Sequence, residues 1–200
     1  MTAARYMPGL LFGVCVAVCA HGAPVPQAGR ALLIRTDLDP LRSEARIRLD
    51  PSMDPGVSAT TSILLFDPKN GDAACWTLPA SGWRRHVQGL VYNDPRLAAS
   101  PVRRAEWRRG HLTLALSGLN TTRPIGYPVR MAALSAVAIV LTNATAAGEF
   151  QDCFEFDAAT ATIVVDRPGP DAVFRAYRAV APAACPTAPI ACPPGPTPGS

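Results

Sequence analysis

The sequence predicts an all-β fold, an antiparallel β-sandwich (immunoglobulin-like or jelly-roll-like) of about 9–11 short strands. Three observations carry this. Apolar and β-branched runs of five to seven residues recur between Pro, Gly, Asn and Asp clusters, no long amphipathic helical pattern occurs, and the connections are too short for the helical crossovers of a parallel sheet.

In chain order, residues 31–36 (ALLIRT) and 45–49 (ARIRL) form the first strand pair, the second alternating Arg46 and Arg48 outward with Ile47 and Leu49 inward. Residues 62–66 (SILLF) and 73–78 (ACWTL) flank 67–72 (DPKNGD), whose Asn70-Gly71 pair suits the positive φ angles of a tight hairpin. Residues 102–107 run into Arg108-Arg109-Gly110, and 111–116 place Leu112, Leu114 and Leu116 on one face, a second hairpin. Within 129–142 (VRMAALSAVAIVLT) the first half suits a helix, while Val137, Ile139, Val140 and Leu141 favour strand. Residues 150–156, 162–166 and 173–177 complete the set.

Around this domain, placed at 31–180, the chain organises into a secretory signal at 1–22, a short linker at 23–30 and a tail at 181–200. Arg5, the apolar stretch 10–20 (LLFGVCVAVCA) and the small residues of Ala20-His21-Gly22 match the three regions of a signal peptide, with cleavage expected before Ala23. The apolar run is about half the roughly 20 residues that a spanning helix needs. The expected location is therefore secreted or cell envelope, extracellular or periplasmic, with no membrane span after cleavage. The tail holds seven prolines in twenty residues, so it is expected to be extended unless its cysteines fasten it.

Removing the signal leaves four cysteines, Cys75, Cys153, Cys185 and Cys192, which in an exported chain read as two disulfides. A zinc site would want short CxxC-type spacing, which Cys75 and Cys153 lack. Three connectivities are possible. Cys75 and Cys153 lie in strand-like stretches, Cys185 and Cys192 could close a small loop, and Cys153 with Cys185 is as credible.

The formal charge of +4 and the 17% of charged residues are a modest excess, not the footprint of a nucleic-acid binder. Lys69 is the only lysine, so the positive charge is almost wholly arginine, which reads as coding bias. The runs Leu32-Leu33-Ile34 through Asp39-Pro40-Leu41-Arg42, Asp54-Pro55, and Cys75-Trp76-Thr77-Leu78-Pro79-Ala80-Ser81-Gly82-Trp83 carry a likeness. Trp107-Arg108-Arg109-Gly110-His111-Leu112, Cys153-Phe154 and Ala183-Ala184-Cys185-Pro186 extend it over most of the mature chain. In these the chain resembles a group of uncharacterised secreted bacterial β-rich proteins with no assigned activity, from which it departs by Cys192 and a longer Pro-rich end. The resemblance implies an exported β-rich domain and no chemistry.

No catalytic constellation stands out. Ser81 and Ser117 lack the GxSxG elbow, and His86 and His111 belong to no ligand pair. Asp37, Asp39, Asp50, Asp54, Asp67 and Asp72 occupy turn contexts, not those of a glycosidase pair. No cofactor is expected. Asp67, Asn70 and Asp72 could hold calcium, although a plain hairpin turn explains them better. Asn120-Thr121-Thr122 and Asn143-Ala144-Thr145 match the glycosylation pattern, which carries no weight in a bacterial chain.

Of the aromatic residues, Trp76 and Trp107 are expected in the core, leaving Trp83 and Tyr92 as a speculative ligand surface for stacking on sugar rings. Arg84-Arg85, Arg103-Arg104 and Arg108-Arg109 could meet acidic polymers or simply line solvated strand edges. The expected function is an exported, non-enzymatic domain with a structural or interaction role, its partner an unknown protein or polysaccharide at the cell surface. A carbohydrate-binding module is the alternative, an enzyme of unknown type the second.

Overall fold

The strands begin and end where the apolar periodicity changes. A computed structural model describes residues 23–35, 43–53, 56, 59–71, 73–94, 100–117, 136–146, 148–169, 172–190 and 192. The expected signal at 1–22 and Asn120 lie outside these residues. The strands are β1 (Val25–Pro26), β2 (Gly29–Arg35), β3 (Glu44–Leu49), β4 (Thr60–Phe66), β5 (Ala73–Leu78), β6 (Trp83–His86) and β7 (Gly89–Asn93). They continue as β8 (Val102–Arg108), β9 (His111–Ser117), β10 (Ala136–Thr145), β11 (Gly148–Asp157), β12 (Thr162–Arg167) and β13 (Val173–Ala179). Every strand expected from the sequence is present, and β1, β6 and β7 bring the number among the described residues to thirteen.

Two sheets pack face to face. One has five strands in the order β1-β11-β10-β4-β5, the other eight in the order β12-β13-β2-β3-β9-β8-β7-β6. All pairings are antiparallel except the short β1, which lies parallel to β11. The architecture is the expected all-β sandwich. It is built from hairpins because short turns can join only antiparallel neighbours.

Alternation sets the faces. Ile63, Leu65, Trp76, Leu78, Ile139, Leu141, Phe154 and Phe156 from the five-stranded sheet share one buried cluster with Leu32, Ile34, Ile47, Leu112, Leu114 and Phe174 from the other. In β4 and β10, however, consecutive residues are buried, so the five-stranded sheet is covered on both faces. Its outer face holds a second cluster, Leu64, Phe66, Ala138, Val140 and Cys153, against which Cys75, Cys185 and Cys192 pack.

The cysteine pairing is Cys75–Cys192 and Cys153–Cys185. The tail is thereby fastened to the outer face, as its cysteines allowed. Among the described residues no helix is long and apolar enough to cross a membrane.

The β4–β5 connection corrects one local expectation. Phe66 pairs with Ala73, so the hairpin closes over 67–72, and of the Asn70-Gly71 pair Gly71 alone takes a left-handed φ, of 75°. Asp67 organises it instead: its Oδ1 accepts from the backbone N–H of Lys69 at 2.7 Å and of Asn70 at 3.2 Å, and its Oδ2 from Asn70 Nδ2 at 2.8 Å. An Asx turn closed by glycine thus joins the two strands of the expected hairpin.

Candidate functional site

Trp83 and Tyr92 do not form a ligand surface. They face each other across β6 and β7 with ring centroids 5.7 Å apart, and are 5% and 1% exposed, inside the main core. Burial, with the Asp94 charge adding to it, pushes the Tyr92 phenol up to about 12 against a hydrogen bond to Ser100. The expectation fails because β6 is an edge strand in which only Trp83 is buried while Arg84, Arg85 and His86 are exposed, too short an alternation to show which way the aromatic residue turns. With β6 in place, alternation turns the aromatic residues inward. Trp76 and Trp107 are buried as expected.

The remaining candidates separate as follows. Asp67 is fully buried and its carboxylate is occupied by the turn, while Asp72 lies outside the described residues. Among the described residues no three His, Cys, Asp or Glu side chains gather as a metal site. Asn143 is buried and accepts a hydrogen bond from Thr61 Oγ1 at 2.9 Å, so its sequon is closed in the folded protein. His86 is exposed on β6, and Ser81 sits in a short 3-10 turn (Ala80–Gly82).

What the topology does gather is arginine, on the outer face of the eight-stranded sheet. One rung of paired residues crosses all eight strands: Thr162, Tyr177, Ala31, Arg48, Thr113, Glu106, Val91 and Arg84. The next rung on this face carries Arg175, Arg46 and Arg104. Carboxylates are outnumbered here. Glu106 is shared by Arg104 and by Arg108, whose Nε lies 3.1 Å away, and Glu44 by Arg46 at 3.6 Å and Arg35 at 3.9 Å. Such exposed pairs contribute little stability, and each leaves a surplus positive charge. Arg48 has no ion-pair partner among the described residues.

An open groove of about 630 Å³ lies along this face, lined by Arg30, Arg48, Arg108, Arg109, His111 and Glu106 among others. A smaller cleft of about 350 Å³ adjoins it at Arg30 and Tyr177, completed by Thr162 and Arg178. Two β-bulges serve the surface. The register of β2 against β3 slips between Gly29 and Ala31, leaving Arg30 as the extra residue, and β8 slips likewise at Arg103. A bulge re-aims the side chain it carries.

Arg30 is held in place by two partners. Its Nε donates to Asp50 Oδ1 at 2.6 Å and its Nη2 lies 3.0 Å from His111 Nε2, while His111 Nδ1 lies 2.7 Å from the same Asp50 oxygen. Because a guanidinium can only donate, His111 must accept at Nε2 and carry its proton on Nδ1, donating it to Asp50. Sequence reading treated Asp50 and His111 as separate turn and surface residues. Their 61-residue separation conceals the pairing that the β3–β9 register creates.

Strain marks the same place. Among the described residues only Arg109, at φ 53°, and Arg178, at φ 56°, are non-glycine residues in the left-handed region. Both are arginines, and each lines one of the two adjoining clefts. Arg109 and Gly110 form a two-residue hairpin turn in which both φ are positive, a position that Asn or Gly occupies at less cost. An arginine there costs on the order of 1–2 kcal/mol.

The chain matches no protein-family model, no curated protein and no solved structure. The site therefore stands on its own geometry: a solvent-open, arginine-lined surface suited to holding an extended anion against a rigid sheet.

Proposed function

We propose that the protein is an exported, non-enzymatic interaction domain that presents the arginine face of its eight-stranded sheet to an anionic polysaccharide at the cell surface or in the surrounding medium. The observation that supports this reading best is the placement of Arg109 and Arg178. Backbone strain concentrates at ligand sites, where a binding gain offsets its folding cost, and both strained residues are cations, each lining one of two adjoining clefts on the same face. The two disulfides suit an oxidising compartment, in keeping with export. The alternative of sugar stacking on Trp83 and Tyr92 loses its basis, since both rings belong to the core.

Polymer capture by this face is electrostatic, so it weakens as salt screens the arginines. The test is retention of the mature protein on heparin-agarose, a sulfated glycan matrix, eluted with a salt gradient. Arg48→Glu and Arg108→Glu should elute at markedly lower salt than wild type. Lys69→Glu, an equal charge change in the β4–β5 turn of the other sheet, should elute much nearer to wild type. Wild-type protein passing straight through at low salt, or Lys69→Glu weakening retention as much as Arg48→Glu, defeats the proposal.

A further inference from the structure

Where β13 meets β2, two irregular arginines oppose each other. Tyr177 pairs with Ala31 and Ala179 with Gly29, so Arg178, left-handed at φ 56°, stands opposite the bulged Arg30. Both line the 350 Å³ cleft with Tyr177 and Thr162, which are paired with each other across β13 and β12, and among the described residues no carboxylate lines it. Arg30 uses its Nε on Asp50 and its Nη2 on His111, which leaves three of its five N–H donors. Arg175 Nε donates to the Tyr177 hydroxyl oxygen, and its guanidinium lies 5.1 Å from the ring centroid. The Tyr177 proton is thus left to donate.

From this arrangement we infer that the cleft is a subsite for one tetrahedral oxyanion, a phosphate or sulfate group of the ligand. Arg30, Arg178, Tyr177 and Thr162, contributed by three strands, line one small open cleft. Donors supplied from separate strands suit the oxygens of a tetrahedral anion, whereas a planar carboxylate is satisfied by one guanidinium fork. Arg30, fixed from behind by Asp50 and His111, is pre-positioned, so little of its freedom is lost on binding. This assignment rests on the reading of the arginine face as the ligand surface and narrows it to phosphate-bearing or sulfate-bearing polymers.

The experiment compares two polymers by titration with the mature protein: polyphosphate, which offers tetrahedral groups, and polygalacturonate, which offers carboxylates. Wild type should bind polyphosphate at least tenfold more tightly. Arg178→Gly and Arg178→Asn, both compatible with a left-handed φ, should abolish that preference while polygalacturonate binding persists and the melting temperature does not fall. Arg30→Gln should do the same to the preference. Equal affinity for the two polymers, or a preference that survives the Arg178 variants, overturns the subsite and leaves the arginine-face proposal standing. Failure to bind either polymer overturns both.

Discussion

Cys75 and Cys153 stand three strands apart on one rung of the five-stranded sheet, with Leu64 and Val140 between them in register. Each is bonded to a cysteine of the tail, Cys192 and Cys185 respectively. The rung spans three strand spacings, about 14 Å, and the seven residue steps from Cys185 to Cys192 reach up to about 24 Å when extended, so the strap crosses with slack. Its cysteines cover the apolar outer cluster of Leu64, Phe66, Ala138 and Val140.

Releasing the strap should therefore expose that cluster as well as free the tail. Replacing either disulfide pair by alanines is expected to cost about 2–4 kcal/mol in urea unfolding. Replacing both should also raise binding of the hydrophobic dye ANS, because Leu64 and Val140 gain access to water. Loss of stability without added dye binding would mean that the strap constrains the unfolded chain but does not shield the sheet.

Trp83 should behave as a core residue. Trp83→Ala is expected to destabilise by about 3–5 kcal/mol, since it empties a large volume between packed elements. Trp83→Phe should cost much less. The indole Nε1 is buried with no acceptor among the described residues, so removing it relieves an unsatisfied donor worth about 1–3 kcal/mol. Equilibrium unfolding of the two variants checks this; a phenylalanine variant as unstable as the alanine one would imply an acceptor for that N–H.

The same pair marks how far the sequence could be read. Alternation in residues 45–49 and 111–116 was enough to orient Ile47, Leu49, Leu112, Leu114 and Leu116, and these are buried as expected. β6 and β7 escaped because Arg84, Arg85 and His86 occupy an edge where only Trp83 turns inward, which leaves too short a pattern to register. The candidate site escaped for a different reason. Bulges at Arg30 and Arg103 and the left-handed φ of Arg178 are departures from periodicity, and the contacts of Arg30 with Asp50 and His111 join residues 20 and 81 positions away. Local composition revealed the Arg103-Arg104 and Arg108-Arg109 pairs but could not say that they share a face.

Asp152 should give the protein a pH-dependent weakness. It is 3% exposed, and its carboxyl is raised above the usual range by burial, against which the Ser52 N–H and Oγ donate at 3.0 and 2.6 Å. In the folded state it holds a proton at pH values where the unfolded chain, titrating near about 3.9, has released it. Over that interval the unfolded state binds fewer protons, so this group's contribution to stability falls as pH rises through the raised value. Glu155 is shifted in the same direction by burial and by Asp157, so the Asp152 effect must be isolated by difference. Asp152→Asn removes one titration only, and its stability deficit relative to wild type should shrink between pH 4 and pH 7. A deficit constant across that range, measured by urea unfolding, would show that the carboxyl does not titrate differently in the two states.

Arg109 sets stability against binding at a single position. The turn that it forms with Gly110 needs a left-handed residue, and the side chain that best serves the groove is poorly suited to it. Arg109→Asn would create the Asn-Gly pair that this turn favours and should stabilise the protein by about 1 kcal/mol. For a β domain of this size that corresponds to a rise of a few degrees in melting temperature. Retention on the heparin matrix should fall at the same time, since an arginine lining the groove is lost. The two readouts must move in opposite directions. A variant that is more stable and equally well retained would mean that the strain at Arg109 serves no ligand, and would remove the main support for the arginine face as a binding surface.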